Sequence, residues 1–154
     1  MALTQPLDDP QVGNVATPIN ASGFTKALIN NLPAYRQGLS PNRRGLEVGM
    51  AHGYFLYGPF ALLGPLRDTD IGPLAGLVAA VSLVTILTIA LSLHAAVRTG
   101  NATETLTTPK PPAEFGTKEG WSEFASGFLI GGCGGAAFAY FLATTPLLQA
   151  VLTR

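Results

Sequence analysis

The sequence predicts an all-α integral membrane protein with three transmembrane helices and a short N-terminal interfacial helix. Of its 154 residues, 47% are hydrophobic and only 12% are charged, about half the charged share of a soluble domain. Three stretches contain no Asp, Glu, Lys or Arg: residues 48–66, 72–97 and 124–153. A helix rises ~1.5 Å per residue and needs roughly 20 apolar residues to cross the hydrocarbon. The second and third stretches meet this length, and the first meets it if its helix begins earlier.

The N-terminal segment, residues 1–40, is expected to lie on the cytoplasmic or stromal side of the membrane. Residues 1–21 contain turn-forming residues but no apolar core of a signal peptide. Targeting is therefore expected to fall to the first hydrophobic helix. Residues 22–32, SGFTKALINNL, predict a short helix that Ser22 caps and that lies on the membrane surface. Phe24, Leu28 and Ile29 fall near one face of it.

A three-helix membrane domain is predicted over residues 41–154. Its spans are placed at about 44–65, 73–97 and 122–147. Ser40 and Pro41 suit the N-cap and first turn of span one, so this helix is expected to begin before the bilayer. Pro59 is expected to kink it and Pro65 to help end it. The turn GPLRDTD after span one is very short, so spans one and two should form an antiparallel pair. Residues 99–119 are expected to form a loop.

The positions of the basic residues predict the orientation. Lys and Arg total nine, and in a three-span arrangement seven of them share one side: Lys26, Arg36, Arg43, Arg44, Arg98, Lys110 and Lys118. Only Arg67 and Arg154 lie on the other side. Because basic loops remain in the cytoplasm, the N-terminus is expected inside and the C-terminus on the lumenal or periplasmic side. Trp121 is then expected at an interface, where amphipathic rings are favoured.

Small residues spaced four apart predict tight helix packing, because helix association in lipid relies on close contact. They are Gly45, Gly49 and Gly53 in span one, Gly76 and Ala80 in span two, and Gly127, Gly131, Gly135, Ala139 and Ala143 in span three. Packing among the chain's own helices is the favoured interpretation. The other is contact with another subunit or a flat cofactor. Three short helices offer little interior for a substrate, which favours assembly over transport.

Three ionisable residues at membrane depth are candidate cofactor-binding groups: Glu47, His52 and His94. An imidazole is a good axial ligand for a metal in a flat macrocycle, and a carboxylate supplies oxygen to Mg²⁺. Structural interpretations stay open for each. Glu47 can pair with Arg43 or Arg44, His52 can hydrogen-bond a backbone carbonyl, and His94 can be a polar helix end.

Several function classes find no support in the sequence. Nine acidic residues balance the nine basic ones, so there is no basic footprint for nucleic acid. The single Cys133 excludes an internal disulfide, a Cys-ligated zinc site and a Cys-ligated iron–sulfur cluster. No catalytic triad, carboxylate pair or phosphate loop is present, and the prediction is that the protein is not an enzyme.

Residues 31–70, NLPAYRQGLSPNRRGLEVGMAHGYFLYGPFALLGPLRDTD, resemble the core of the photosystem I reaction centre subunit XI family. TPI at 17–19 and EGWSEFASGFLIGGCGGAAFAYFL at 119–142 resemble the same family. The resemblance covers most of the chain, although the second span and the following loop match only in character. It implies a three-span, non-catalytic subunit that binds antenna chlorophyll a and β-carotene and sits at the centre of a trimer.

The resemblance also implies residue roles and partners. Glu47 and His52 match family positions that ligate chlorophyll magnesium, and Pro65 and Asp68 match a lumenal loop that contributes to a Ca²⁺ site near the trimer axis. The implied partners are the photosystem I core subunits, neighbouring small subunits, two further copies of the chain and membrane lipid. The implied location is the thylakoid membrane, or the cytoplasmic membrane where thylakoids are absent, in a cyanobacterium.

A second hypothesis from a different class is a small membrane redox protein. His52 and His94 fall on adjacent antiparallel spans at similar predicted depth, so the two imidazoles could hold one b-type haem. A third hypothesis, a transporter or channel accessory, ranks last because no span carries a polar stripe.

Overall fold

The computed structural model describes residues 5–6, 15–98, 100–146 and 150. Within these residues the chain forms four α-helices: α1 (Gly23–Asn31), α2 (Pro41–Leu63), α3 (Gly72–Val97) and α4 (Lys118–Thr144). One turn of 3₁₀-helix, Ala113–Gly116, precedes α4. Two short strands, β1 (Gln5–Pro6) and β2 (Val15–Ala16), pair antiparallel. The architecture is therefore helical, with one small ladder that the sequence did not predict.

Helix α1 begins where its N-cap was predicted. The Ser22 hydroxyl accepts a hydrogen bond from the Thr25 backbone N–H at 3.1 Å, which satisfies one of the free donors of the first turn. Phe24 and Leu28 are 77% and 51% exposed, and Ile19 just before the helix is 77% exposed. Ile29 is half-buried. The helix thus carries an outward apolar surface.

Helix α2 also begins as the sequence indicated. Ser40 caps it by accepting from the Arg43 N–H at 3.3 Å, and Pro41 occupies the first turn. The helix continues through Pro59 and ends at Leu63, before Pro65.

Helices α3 and α4 are both long and apolar enough, by length and composition, to cross a membrane. Helix α3 matches its predicted range closely. Helix α4 begins at Lys118 rather than near 122, because the Thr117 side chain caps it by accepting from the Gly120 N–H at 3.0 Å. The prediction of a loop over 99–119 is wrong to that extent. The predicted end of span three at 147 and the basic Arg154 lie outside the described residues.

The glycine stripes of α2 and α4 face each other and run in the same direction. A Cβ at Gly45, Gly49 or Gly53 would collide with the backbone near Phe124, Phe128 or Gly132 of α4. The reciprocal collisions are between Gly127 and Asn42, Gly131 and Leu46, and Gly135 and Met50. The interpretation of internal packing is thus confirmed, and the same stripes are not a free surface for another subunit or a cofactor.

Helix α3 runs antiparallel to both partners. A Cβ at Gly76 would meet Ala61 of α2, and one at Gly132 of α4 would meet a Val84 methyl at 2.5 Å. Ala80 and Val84 are completely buried. Four α3 hydroxyls donate to the carbonyl four residues earlier, which keeps them satisfied without partners outside the helix: Ser82, Thr85, Thr88 and Ser92. The rest of the exposed surface of α3 is mainly apolar and includes Val78, Ile86 and Ile89.

Candidate functional site

The end of the bundle where α2 and α4 begin is organised around Arg44. Its side chain is only 2% exposed. Its guanidinium donates to the backbone carbonyls of four residues in the preceding segment: Pro33, Ala34, Arg36 and Leu39. It also donates to Glu114 Oε1 at 3.1 Å and lies over the Phe115 ring, 5.7 Å from its centroid. Arg44 therefore ties residues 33–39 and the turn before α4 to the base of α2.

Sequence reasoning missed this role, because it treated Arg44 as one of several basic residues on one side and as a possible ion-pair partner of Glu47. The acceptors of its hydrogen bonds are mostly backbone carbonyls. Every residue has one, so the sequence does not show which of them bind Arg44. Among the residues that the structure describes, Glu114 is the only charged partner, and it lies 70 positions away in the sequence.

Glu47 is held by two arginines. Its Oε2 lies 2.6 Å from Arg36 Nη2, and its Oε1 lies 3.6 Å from Arg43 Nε. The Glu47 side chain is 25% exposed. The predicted ion pair with Arg43 is confirmed, whereas the pairing with Arg44 is wrong because Arg44 turns instead to Glu114. Oε1 carries only the longer contact, so it keeps free acceptor capacity.

His52 has one ring nitrogen fixed and one available. Nδ1 lies 2.8 Å from the Val48 carbonyl oxygen, as the structural interpretation predicted. A carbonyl oxygen only accepts, so Nδ1 carries the proton and Nε2 keeps its lone pair. No hydrogen-bond partner of Nε2 is found among the described residues. The ring packs edge-on against Phe128, with centroids 5.5 Å apart.

Two apolar cavities flank His52. One, of about 410 Å³, lies in the groove between α2, α3 and α4. Its lining residues are Val48, His52, Leu87, Ala90, Leu91, Trp121, Phe124 and Phe128. The other, of about 280 Å³, is lined by Ala51, His52, Phe55 and Leu56. An imidazole between apolar walls suits the central metal of a flat hydrophobic macrocycle better than a water-filled reaction site.

His94 lies at a separate place. Its exposed ring contacts Trp121 edge-on at 4.7 Å between centroids. Trp121 in turn stacks on Phe115 and donates its indole N–H to the Phe115 carbonyl at 2.7 Å. Trp121 and Phe128, which pack against His94 and His52 respectively, are seven residues apart on α4, or ~10.5 Å along its axis. The two histidines therefore differ in depth, and the similar depth assumed for a shared haem is wrong.

Pro65 and Asp68 lie in the turn between α2 and α3. The Asp68 side chain is 83% exposed, and its Oδ2 is 3.3 Å from Arg67 Nη2. Pro65 lines a cavity of about 210 Å³ beside that arginine. Across the described part of the chain, no three His, Cys, Asp or Glu residues converge as a metal-binding group. Ca²⁺ takes six to eight oxygen ligands, so this turn alone does not fit a complete calcium site.

Comparison with known proteins gives one consistent family. The family model described as photosystem I reaction centre subunit XI matches residues 2–147. The protein named photosystem I reaction center subunit XI from Picosynechococcus sp. is 69% identical over 142 residues, covering 92% of this chain and 93% of the relative. Its namesake from Crocosphaera subtropica is 61% identical over 147 residues, covering 94% of each chain. That from Synechococcus elongatus is 61% identical over 142 residues, covering 91% of this chain and 86% of the relative.

Proposed function

Because the chain belongs to the photosystem I reaction centre subunit XI family, we propose that it binds antenna pigments at the trimer-forming interface of photosystem I. As a member of that family it is a structural subunit of photosystem I and not a catalytic enzyme, and it associates with other photosystem I subunits. Two membrane-compatible helices and the cyanobacterial relatives agree with a thylakoid membrane location. The redox hypothesis with a shared haem has no support from the family.

We propose that α2, the helix of predicted span one, crosses the membrane together with α3 and α4. Its mean hydropathy is lowered by Glu47 and His52, so composition alone does not select it. Support comes from its contact with α4: the two helices run parallel and meet through backbone atoms from Gly45 to Gly53. A helix joined so closely to a spanning helix shares its depth in the bilayer. With residues 1–40 and 99–117 on the cytoplasmic side, the exposed Phe24 and Leu28 of α1 would lie on the membrane surface.

The observation that most supports pigment binding is the hydrogen bonding and orientation of the His52 ring. Its Nδ1–H is fixed on the Val48 carbonyl, which leaves Nε2 as the lone-pair donor beside two apolar cavities. We propose that this nitrogen holds the magnesium of one chlorophyll a, which when bound supplies light absorption and excitation transfer. The residue itself orients the pigment, and its own orientation comes from the carbonyl and from Phe128.

Two further ligands are proposed. Glu47 offers Oε1, the oxygen with the longer arginine contact, to the magnesium of a second chlorophyll. His94 offers an exposed imidazole at the end of α3. β-Carotene is proposed to lie along outward apolar grooves. One such groove, of about 310 Å³, runs between α2 and α4 beside Phe55 and Tyr54.

The trimer proposal concerns a Ca²⁺ site to which one chain supplies only some of the oxygen ligands. The exposed Asp68 carboxylate and the Pro65 carbonyl would supply part of a Ca²⁺ shell, and further oxygens would come from other copies or water. If the chain holds the trimer together, deleting it should leave photosystem I monomers on native sizing. Trimers that persist without this chain would contradict the proposal.

The pigment proposal is tested by replacing His52 with Leu in photosystem I purified from its native membrane. We expect the loss or displacement of one chlorophyll per copy, seen as a change in pigment stoichiometry and in the low-temperature absorption difference spectrum. Met50→Leu is the matched control, since this exposed neighbour on the same helix lacks a ligand nitrogen. An unchanged spectrum for His52→Leu would show that His52 is only a packing residue.

A further inference from the structure

The ion pair between Arg36 and Glu47 joins the N-terminal segment to a proposed pigment ligand. Arg36 Nη2 approaches Glu47 Oε2 to 2.6 Å, and both side chains are only partly exposed, at 39% and 25%. Arg43 is also near, but its Nε is 3.6 Å from Oε1 and its side chain is 72% exposed. The two arginines are therefore unequal partners, and Arg36 is the one that fixes the carboxylate.

Two hydrogen bonds hold the backbone of Arg36. Its N–H donates to the Leu32 carbonyl at 2.8 Å, and its own carbonyl accepts from Arg44 Nη1 at 2.8 Å. Arg44 is anchored on α2 three residues before Glu47, and it is almost fully buried. The backbone from which the Arg36 side chain reaches Glu47 is thus held in place by the buried Arg44.

The charge of the Arg36 guanidinium can compensate that of the Glu47 carboxylate when Glu47 ligates magnesium. In chlorophyll the Mg²⁺ charge is balanced by the macrocycle, so a carboxylate ligand adds one negative charge at a partly desolvated place. Burying an uncompensated charge is costly, and a fixed opposite charge offsets that cost. By engaging Oε2, Arg36 also leaves Oε1 as the oxygen with free lone pairs.

We propose that Arg36 is a positioning residue that orients the Glu47 carboxylate and balances its charge for magnesium ligation, with Arg44 holding Arg36 in place. This inference rests on the proposed role of Glu47 as a pigment ligand. It assigns to the N-terminal segment a part in pigment binding that its residue types alone do not suggest.

The test uses intact photosystem I carrying Arg36→Gln, with Arg43→Gln as the matched control and Glu47→Leu as the reference for loss of the ligand. A half-buried ion pair worth about 1 kcal/mol corresponds to about fivefold in an equilibrium constant. We therefore expect the absorption band that Glu47→Leu abolishes to be lost from Arg36→Gln complexes about fivefold more readily during detergent washing. Arg43→Gln, which removes only the longer and more exposed contact, should lose the band less readily than Arg36→Gln.

Arg36→Lys separates positioning from general folding. It keeps the charge but replaces the planar guanidinium with a more flexible ammonium, so it should retain the pigment while shifting its band. If Arg36→Gln and Arg43→Gln both retain the band that Glu47→Leu removes, the role of Arg36 is refuted and Glu47 remains a ligand. If Glu47→Leu leaves the spectrum unchanged, Glu47 is not a ligand, and the inference fails with it while His52 is unaffected.

Discussion

Two adjacent glycines of α4 offer a direct test of the α2–α4 contact. A Cβ at Gly135 would collide with the Met50 carbonyl oxygen and lie 2.9 Å from its carbonyl carbon and 3.0 Å from its Cα. All three are backbone atoms, so no side-chain rotation relieves the clash. A Cβ at Gly134, one residue earlier, would have no neighbour within 4 Å. Gly135→Ala and Gly134→Ala therefore add the same methyl group to opposite environments.

The expected magnitude follows from two effects. Replacing Gly by Ala in a helix stabilises it by about 1 kcal/mol, and this gain is common to both variants. Overpacking a close contact costs about 1–3 kcal/mol, and only Gly135→Ala incurs that cost. We expect Gly134→Ala to be neutral or stabilising and Gly135→Ala to be less stable than Gly134→Ala by about 1–3 kcal/mol.

The assay is SDS-induced unfolding of the purified chain in mild detergent, followed by tryptophan fluorescence. The sequence has one tryptophan, and Trp121 stacks on Phe115 and packs against Phe124, so its emission reports on the helix contacts. Gly135→Ala should unfold at a lower SDS fraction than Gly134→Ala. Equal midpoints, or a higher midpoint for Gly135→Ala, would refute the close backbone contact between α2 and α4.

Two other variants test the end of the bundle around Arg44. Arg44→Met leaves several carbonyls and Glu114 without their donor, and an unsatisfied buried polar group costs about 1–3 kcal/mol. Trypsin should then cut faster at Arg36 and Lys110, and unchanged cleavage would contradict the anchoring role. Trp121→Phe keeps an aromatic ring on Phe115 but removes the 2.7 Å hydrogen bond to its carbonyl. We therefore expect a loss of about 1 kcal/mol in thermal or SDS stability. An unchanged stability would mean that the bond contributes nothing.

Local signals in the sequence predicted much of the helical framework. Ser22 and Ser40 mark the starts of α1 and α2 because a hydroxyl at the N-cap satisfies a free backbone donor. The glycines of α2 and α4 predicted close packing because their spacing of four places them on one helix face. Each of these inferences needs only residues within one or two turns of each other.

Features that depend on distant residues were not accessible in this way. Arg44 is buried because carbonyls at 33–39 and the carboxylate of Glu114 converge on it, and its residue type alone indicates an exposed charge. The loop expected over residues 99–119 also ends earlier than predicted, because α4 begins at Lys118. The Thr117 cap and the close approach of Gly120 to Glu114 decide that start.

The glycine contact and the proposed pigment ligand are physically coupled. At ~100° per residue, His52 lies ~60° from Gly49 around α2, whereas Glu47 lies ~160° away. His52 is therefore at the edge of the contact, where its ring meets Phe128, and Glu47 is on the far side with Arg36. A Cβ at Gly49 would collide with the backbone of Phe128 itself. Any side chain at Gly49 must push Phe128 away from His52. Gly49, which is not itself a proposed ligand, therefore helps to set the position of the His52 ring.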